Sequence, residues 1–212
     1  MLVGERMSKP VITISPEMPI PDALNLMKKE RIRRAPVVKD GKLVGIICDD
    51  DLLNASPSPV TTLSIWEMNY LLSKITVSEV MTKNVLTVTE DTPIEQAARI
   101  MADNKIGGLP VMRDGYVVGI ITETDLFKIF LELLGARETG VRVTALIEDK
   151  PGQLARFTEA IAKKHGNFVA FGVITGETPA DKMLTCKIQG MSQDEVKATL
   201  EPLVKEFIDL RA

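Results

Sequence analysis

The stretch Ala35–Leu53, APVVKDGKLVGIICDDDLL, decides the fold, because a second version of it, LPVMRDGYVVGIITETDLF, occupies Leu109–Phe127. Each reads as a strand, a two-residue turn, a second strand and a helix start. Asp-Gly at Asp40-Gly41 and at Asp114-Gly115 is a strong hairpin signal, since glycine takes the positive φ that a two-residue turn demands. Outward from these stretches, at an offset of 74 residues, the correspondence runs without a gap over Met1–Leu53 and Ile75–Phe127. It holds 21 identities in 53 positions. A unit repeated so regularly is expected to be built twice, to pack against itself and to offer two equivalent clefts.

Upstream of each hairpin the pattern is also shared. VITIS (Val11–Ser15) and VLTVT (Val85–Thr89) read as short strands, each followed by a turn ending at Pro19 or Pro93. Apolar residues at helical spacing come next: Ile20, Ala23, Leu24 and Met27 in one copy, Ile94, Ala97, Ala98 and Met101 in the other. After the second hairpin, Leu126–Leu134 is more apolar than one exposed helix should be, and is expected to pack between domains or against a second chain. Between the copies, Ser64 and Glu67 form a capping-box signature for a linker helix reaching about Ser73. Its Ile65, Met68, Leu71 and Leu72 make an apolar face.

Past Gly135 the period changes. VRVTALI (Val141–Ile147) reads as a strand, and EDKPGQL (Glu148–Leu154) turns into a helix with Pro151 near its first turn. Strands follow at Asn167–Thr175 and Asp181–Gln189. A helix is expected from Ser192 to about Phe207, and a four-residue strand at Ile208–Arg211. The order β-α-β-β-α-β is that of a ferredoxin-like split βαβ unit. GARETG (Gly135–Gly140) marks the boundary.

Composition narrows the function classes. Hydrophobic and charged fractions of 45% and 26% are those of a globular protein. The net charge of −3 offers no basic excess for nucleic acid. The longest apolar runs fall far short of the roughly 20 residues of a membrane span. Cys48 and Cys186 lie outside any paired motif, which fits buried thiols in a reducing cytosol. The lone His165 has no metal-ligand or triad spacing around it, and no P-loop or GxGxxG is present. Neither a catalytic group nor a required cofactor is indicated.

The chemically suggestive segments are GIICDDD (Gly45–Asp51) and GIITETD (Gly119–Asp125). Each ends a strand and places an aspartate in the first turn of the next helix. Such a carboxylate can accept from the vicinal hydroxyls of a ribose, or it can do no more than satisfy the helix N-terminus. The residues leave both readings open. Arg33-Arg34 in the first copy answers Gly107-Gly108 in the second. Arginines suit phosphate and also sit on solvated loops; glycines allow backbone to approach a ligand closely.

The doubled unit, with Ala-Pro-Val at Ala35–Val37, Leu-Pro-Val at Leu109–Val111, the Asp-Gly hairpins and two Gly-Ile-Ile-x-x-x-Asp segments, resembles a CBS-domain pair, or Bateman module. The resemblance implies adenosine-containing ligands (AMP, ADP, ATP or S-adenosylmethionine) in clefts between the copies. Thr122 and Asp125 would hold a ribose in one cleft and Asp51 in the other, with Thr13 and Thr87 nearby. Ile106, Gly108 and Pro110 would wall the adenine, and Arg33 and Arg34 would meet phosphate. Because Cys48 stands where the second copy has Thr122, the site of Thr122 and Asp125 is expected to be the better formed.

Asp149-Lys150-Pro151-Gly152-Gln153-Leu154 resembles the ACT-domain signature, which implies an amino-acid ligand met by Asp149, Pro151, Gly152, Gln153, Leu154 and Asn167, or a dimerisation platform without ligand. The expected class is α+β: a CBS pair over 1–134, followed by an ACT domain over 140–212. Within the pair, the repeats cover about 1–60 and 75–134 and the linker helix about 61–74. The combination resembles the AcuB-type acetoin-utilisation proteins. It implies a cytoplasmic, homodimeric, non-enzymatic regulator with no nucleic-acid or membrane partner. The alternative expectation is a ligand-independent scaffold in acetoin or central carbon metabolism.

Overall fold

The computed structural model describes residues 1–55, 67, 70, 72–176 and 178–212. Along the chain run α1 (Val3–Arg6), α2 (Ile20–Glu30), β1 (Arg34–Lys39), β2 (Lys42–Cys48) and α3 (Asp49–Asn54). They are followed by α4 (Val77–Val80), β3 (Val88–Thr89), α5 (Ile94–Asn104), β4 (Gly108–Arg113), β5 (Tyr116–Thr122) and α6 (Glu123–Leu133). The remainder comprises β6 (Val141–Glu148), α7 (Gln153–Lys163), β7 (Asn167–Thr175), β8 (Asp181–Gln189), α8 (Gln193–Leu200) and β9 (Glu206–Arg211). These form two compact units, Met1–Leu126 and Phe127–Ala212. The division falls inside α6, upstream of the GARETG stretch. The expected linker helix lies outside the described residues, except that Glu67, Tyr70 and Leu72 are helical.

In the first unit the copies match down to single backbone angles. Each hairpin turns through an Asp-Gly pair with both φ values positive, 50° and 78° at Asp40 and Gly41, 51° and 84° at Asp114 and Gly115. That is the two-residue turn whose twist suits antiparallel strands. Each ladder carries an irregularity at the same place, between Val37 and Val38 and between Val111 and Met112. Helices α2 and α5 bury equivalent triplets, Ile20, Ala23 and Met27 against Ile94, Ala97 and Met101. Both end on a left-handed residue, Arg31 or Lys105.

The expected first strands are shorter than the sequence suggested. VITIS contributes one parallel bridge, Ile14 to Val37, and VLTVT the two residues of β3 on Val111 and Met112. Extending the first ladder backward would require the N–H that Pro36 lacks, and Pro110 stands at the equivalent place.

A second difference concerns which copy each segment completes. Residues 1–8 belong structurally to the second repeat: Val3 and Gly4 N–H donate to Thr92 and Glu90 carbonyls at 2.9 and 2.8 Å, and Ser8 bridges Ile120. Residues 75–82 belong to the first: Val77 and Ser78 donate to Met18 and Pro16 carbonyls at 3.0 and 2.9 Å, and Thr82 bridges Ile46. Val3 and Val77 are fully buried by this exchange. Met7 lies over Gly119 and Met81 over Gly45, where a Cβ would meet the sulfur.

The second unit is an antiparallel four-stranded sheet in the order β7-β8-β6-β9. Val143, Ile147, Phe157, Ile161, Leu184, Ile188, Val196 and Leu200 make its core. Cys186 lies in the same cluster, and burial pushes its thiol up to about 12, so it is an inert packing group. Ser192 caps α8 as expected, its Oγ accepting from Glu195 N–H at 3.3 Å. The helix stops at Leu200 rather than near Phe207, because Pro202 tightens the chain into a 3-10 turn over Glu201–Leu203. The residues so released lengthen the last strand from the expected four to the six of β9, which pairs with β6. On α6, Phe127, Phe130 and Leu131 are 67%, 55% and 40% exposed in the single chain.

Candidate functional site

Each hairpin delivers the chain to a helix start that carries an aspartate. Before α6, Asp125 Oδ2 accepts from Thr122 N–H at 3.1 Å and from Thr122 Oγ1 at 2.8 Å. Asp125 is only 6% exposed, so these bonds compensate the loss of water around a charge. Before α3, Asp51 Oδ2 accepts from Cys48 N–H at 2.9 Å, and Asp51 is half-buried. Both aspartates therefore cap their helices. A carboxylate has two oxygens and about four acceptor sites. The Cys48 thiol is a weaker donor than the Thr122 hydroxyl. Burial raises its pKa above the ordinary thiol value, with the nearby Arg34 guanidinium opposing.

The arginine and glycine pairs, separate candidates in the sequence, are brought together. Arg34 donates a guanidinium N–H to the Gly107 carbonyl, and Arg33 Nη2 donates to Thr124 Oγ1 at 3.2 Å. The glycines thus receive a side chain of the other repeat, a use of that space not anticipated from sequence. Thr124 was not anticipated either. The one sequence signal for this contact was two large residues at the positions where the sister copy has two with no side chain.

The other residues expected to line the clefts are spread along the same elements. Thr13 and Thr87 are exposed, each one residue before the buried Ile14 or Val88. Ile106 is half-buried just after α5; Gly108 and Pro110 are buried in β4, opposite Thr122 and Ile120 of β5.

In the second unit, Asp149–Leu154 with Val173 and Lys182 lines an open groove of about 520 Å³. Gly152, with φ 82°, is the N-cap residue of α7. Asp149 Oδ2 lies 3.2 Å from Lys182 Nζ, and the Lys150 ammonium holds Glu148 below the usual carboxylate range. Gln153 donates from Nε2 to the Leu203 carbonyl at 2.7 Å, with its residue 6% exposed, so it braces the helix start. Asn167 is not part of this group. It pairs with Gln189 at one end of β7, whereas Lys182 pairs with Thr175 at the other. Lys182, which sequence reading missed, is brought in by register alone, opposite Ile147.

With this geometry in hand, the chain can be placed in a class. The CBS domain family model matches residues 3–58 and 77–132, more than half the chain, and the protein belongs to that family. A CBS domain-containing protein of Dictyostelium discoideum is 35% identical over 136 residues, 63% of this chain and 94% of the relative. An L-aspartate semialdehyde sulfurtransferase from Methanocaldococcus jannaschii is 36% identical over 131 residues, but the chain spans only 23% of that enzyme.

Among solved structures, the CBS domain pair of protein MJ0100, in complex with 5′-methylthioadenosine and S-adenosyl-L-methionine, is 35% identical with a TM-score of 0.52. The match covers 65% of this chain and 98% of that one. CBSX2 in complex with AMP is 30% identical with a TM-score of 0.53, covering 62% and 97%. A Vibrio cholerae protein assigned to acetoin utilization (AcuB) is 32% identical with a TM-score of 0.53, covering 65% and 96%. CBS-pair proteins of this kind are in general regulatory rather than catalytic.

Proposed function

We propose that this protein is a non-enzymatic regulator that senses an adenosine-containing ligand, AMP, ADP, ATP or S-adenosylmethionine, in the first unit. The observation that carries the reading is the buried Asp125 carboxylate held by the N–H and hydroxyl of Thr122 at the start of α6. A carboxylate fixed in this way is oriented before any ligand arrives, and a carboxylate is the acceptor that ribose hydroxyls require. Asp51, Thr13, Thr87, Ile106, Gly108 and Pro110 complete the proposed clefts, and Arg33 and Arg34 supply positive charge. Support comes from the relatives solved with S-adenosylmethionine, 5′-methylthioadenosine and AMP.

The second unit is proposed to be a ferredoxin-like ACT domain, on its β-α-β-β-α-β order and the groove beside Asp149–Leu154. That groove would take the charged ends of an amino acid, with Lys182 and backbone N–H groups facing the carboxylate. A homodimer is supported by the exposed Phe127, Phe130 and Leu131 of α6, which lie on one helix face by their spacing. The Vibrio cholerae relative, assigned to acetoin utilization, supports a place in that metabolism. Ligand would favour one arrangement of the repeats, with α6 as the element that carries the change.

Isothermal titration of AMP, ATP and S-adenosylmethionine into the full chain tests the reading. At least one is expected to bind with micromolar to sub-millimolar Kd and to lose binding in Asp125→Ala. Absence of binding at millimolar ligand would leave the ligand-independent scaffold.

A further inference from the structure

The two repeats part company at residues 33–34 and 107–108, where Arg-Arg stands opposite Gly-Gly in the alignment. Neither Gly107 nor Gly108 has a positive φ, so backbone conformation does not require glycine at either place. Space does. A Cβ on Gly107 would collide with the Arg34 guanidinium, and one on Gly108 would lie 2.8 Å from Arg34 Cδ. The glycine pair is a notch cut for an arginine of the other repeat.

The notch lies between the two aspartate-bearing helix starts. Arg34 pairs with Cys48 across the first hairpin, and Cys48 immediately precedes α3, the helix of Asp51. The Gly107 carbonyl that receives Arg34 also receives the N–H of Glu123 at 3.1 Å, the first residue of α6, the helix of Asp125. Arg33 ends on Thr124 of the same helix. Two positive side chains of the first repeat are thus held by a neutral carbonyl and a neutral hydroxyl of the second. Neutral acceptors bind a guanidinium less strongly than phosphate oxygens do. The guanidinium fork, with five N–H donors, matches phosphate geometry.

We propose that Arg34 is a latch between the repeats that a ligand's phosphate opens, and that this contest makes the clefts select adenosine phosphates over uncharged adenosyl ligands. The proposal rests on the reading of the first unit as an adenosine-ligand site and names the ligand class and the switching contact within it. A phosphate draws Arg34 off the Gly107 carbonyl and leaves that carbonyl to Glu123 alone. The seam between the two helix starts then differs between bound and free protein. A ligand that shifts a conformational equilibrium needs such a difference in contacts.

The test titrates the full chain with two probes, AMP and 5′-methylthioadenosine, which share the nucleoside and differ in phosphate. Wild type is expected to bind AMP about ten-fold more tightly than the thioether, the size of one charge-assisted contact. Arg34→Ala should cut AMP affinity about ten-fold and change thioether affinity less than about two-fold. Gly107→Ala keeps the charge but fills the notch, and should tighten AMP severalfold while leaving the thioether unchanged. Thermal unfolding identifies any misfolded variant, and Arg34→Lys, which keeps charge but loses the fork, then replaces Arg34→Ala with the same expected direction. Equal wild-type affinities, parallel weakening of both probes by Arg34→Ala, or weaker AMP binding in Gly107→Ala would overturn the latch and leave the adenosine site standing. If neither probe binds wild type, the latch falls, and titration of ATP and S-adenosylmethionine decides the adenosine site separately.

Discussion

The two repeats are nearly interchangeable in what folds them and unlike in what joins them. Their hairpin turns, helix ends and buried triplets agree residue for residue. At the seam, Arg34 meets a glycine notch and Cys48 answers Thr122. Positions that set backbone geometry or fill a core accept few side chains, so duplication is preserved there. A seam between similar units can pack tightly with one large and one absent side chain, and it is here that the copies differ. The asymmetry marks the region where a ligand would be read.

The exchange of leading segments gives the sharpest way to break the comparison. Deleting residues 1–8 removes Val3 and Met7 from the second repeat, not from the copy to which they are joined in sequence. Burial of two such side chains is worth about 3–6 kcal/mol. Hydrogen exchange should rise first around Val88, Ile94 and Ile120, with Ile14, Ile20 and Ile47 keeping their protection. Equal loss in both repeats would contradict the exchange.

A smaller effect separates the two helix caps. Asp125→Ala removes two hydrogen bonds to Thr122 from a buried site and should cost about 2 kcal/mol, at the upper end for a cap. Asp51→Ala removes the bond from Cys48 N–H at a more exposed site and should cost about 1 kcal/mol. Chemical denaturation of the two variants checks the order.

The smallest effect is electrostatic. In the first repeat, Lys39 and then Ser15 hold the Glu17 carboxyl at about 2; in the second, Arg113, at the position equivalent to Lys39, holds Glu90 below its ordinary value. Depressed carboxyl pKa values mean stability that is present above the ordinary value of 4.5 and is lost as pH falls through the folded value. Lys39, Glu17 and Arg113 are exposed and Glu90 is half-buried, so solvent screens both pairs and the stability change is small. Carbon-detected NMR titration should place Glu17 near 2 in wild type and return it toward 4.5 in Lys39→Met.

What sequence could tell followed the range of the interactions concerned. The Asp-Gly turns and the amphipathic α2 and α5 are set within a few residues, and were legible. The element order of the second unit was legible too, but its last helix was read past Pro202 and its last strand too short. VITIS and VLTVT have strand composition, yet a parallel ladder depends on a partner more than twenty residues away, where Pro36 or Pro110 withholds an N–H. Exchange of residues 1–8 with 75–82 could not be read, because both segments carry the same Val and Met pattern and fit either copy. Within the candidate site, Thr122 and Asp125 were found by motif. The Arg34–Gly107 contact spans 73 residues; the mismatch was legible, but it was read as arginines for phosphate or solvent and glycines for a ligand, not as a contact between the two. Asn167 was grouped with Asp149–Leu154 on the ACT-domain resemblance, and sheet register puts it at the other end of β7 from the residue that pairs with Lys182.

The central claim is that duplication has produced an asymmetric adenosine sensor with the better site at Thr122 and Asp125. Titrating AMP into wild type, Asp51→Ala and Asp125→Ala measures it directly. The expected result is a dominant binding event that survives Asp51→Ala and disappears in Asp125→Ala. Loss in Asp51→Ala with retention in Asp125→Ala would contradict it, as would no binding of AMP, ATP or S-adenosylmethionine to wild type at millimolar ligand.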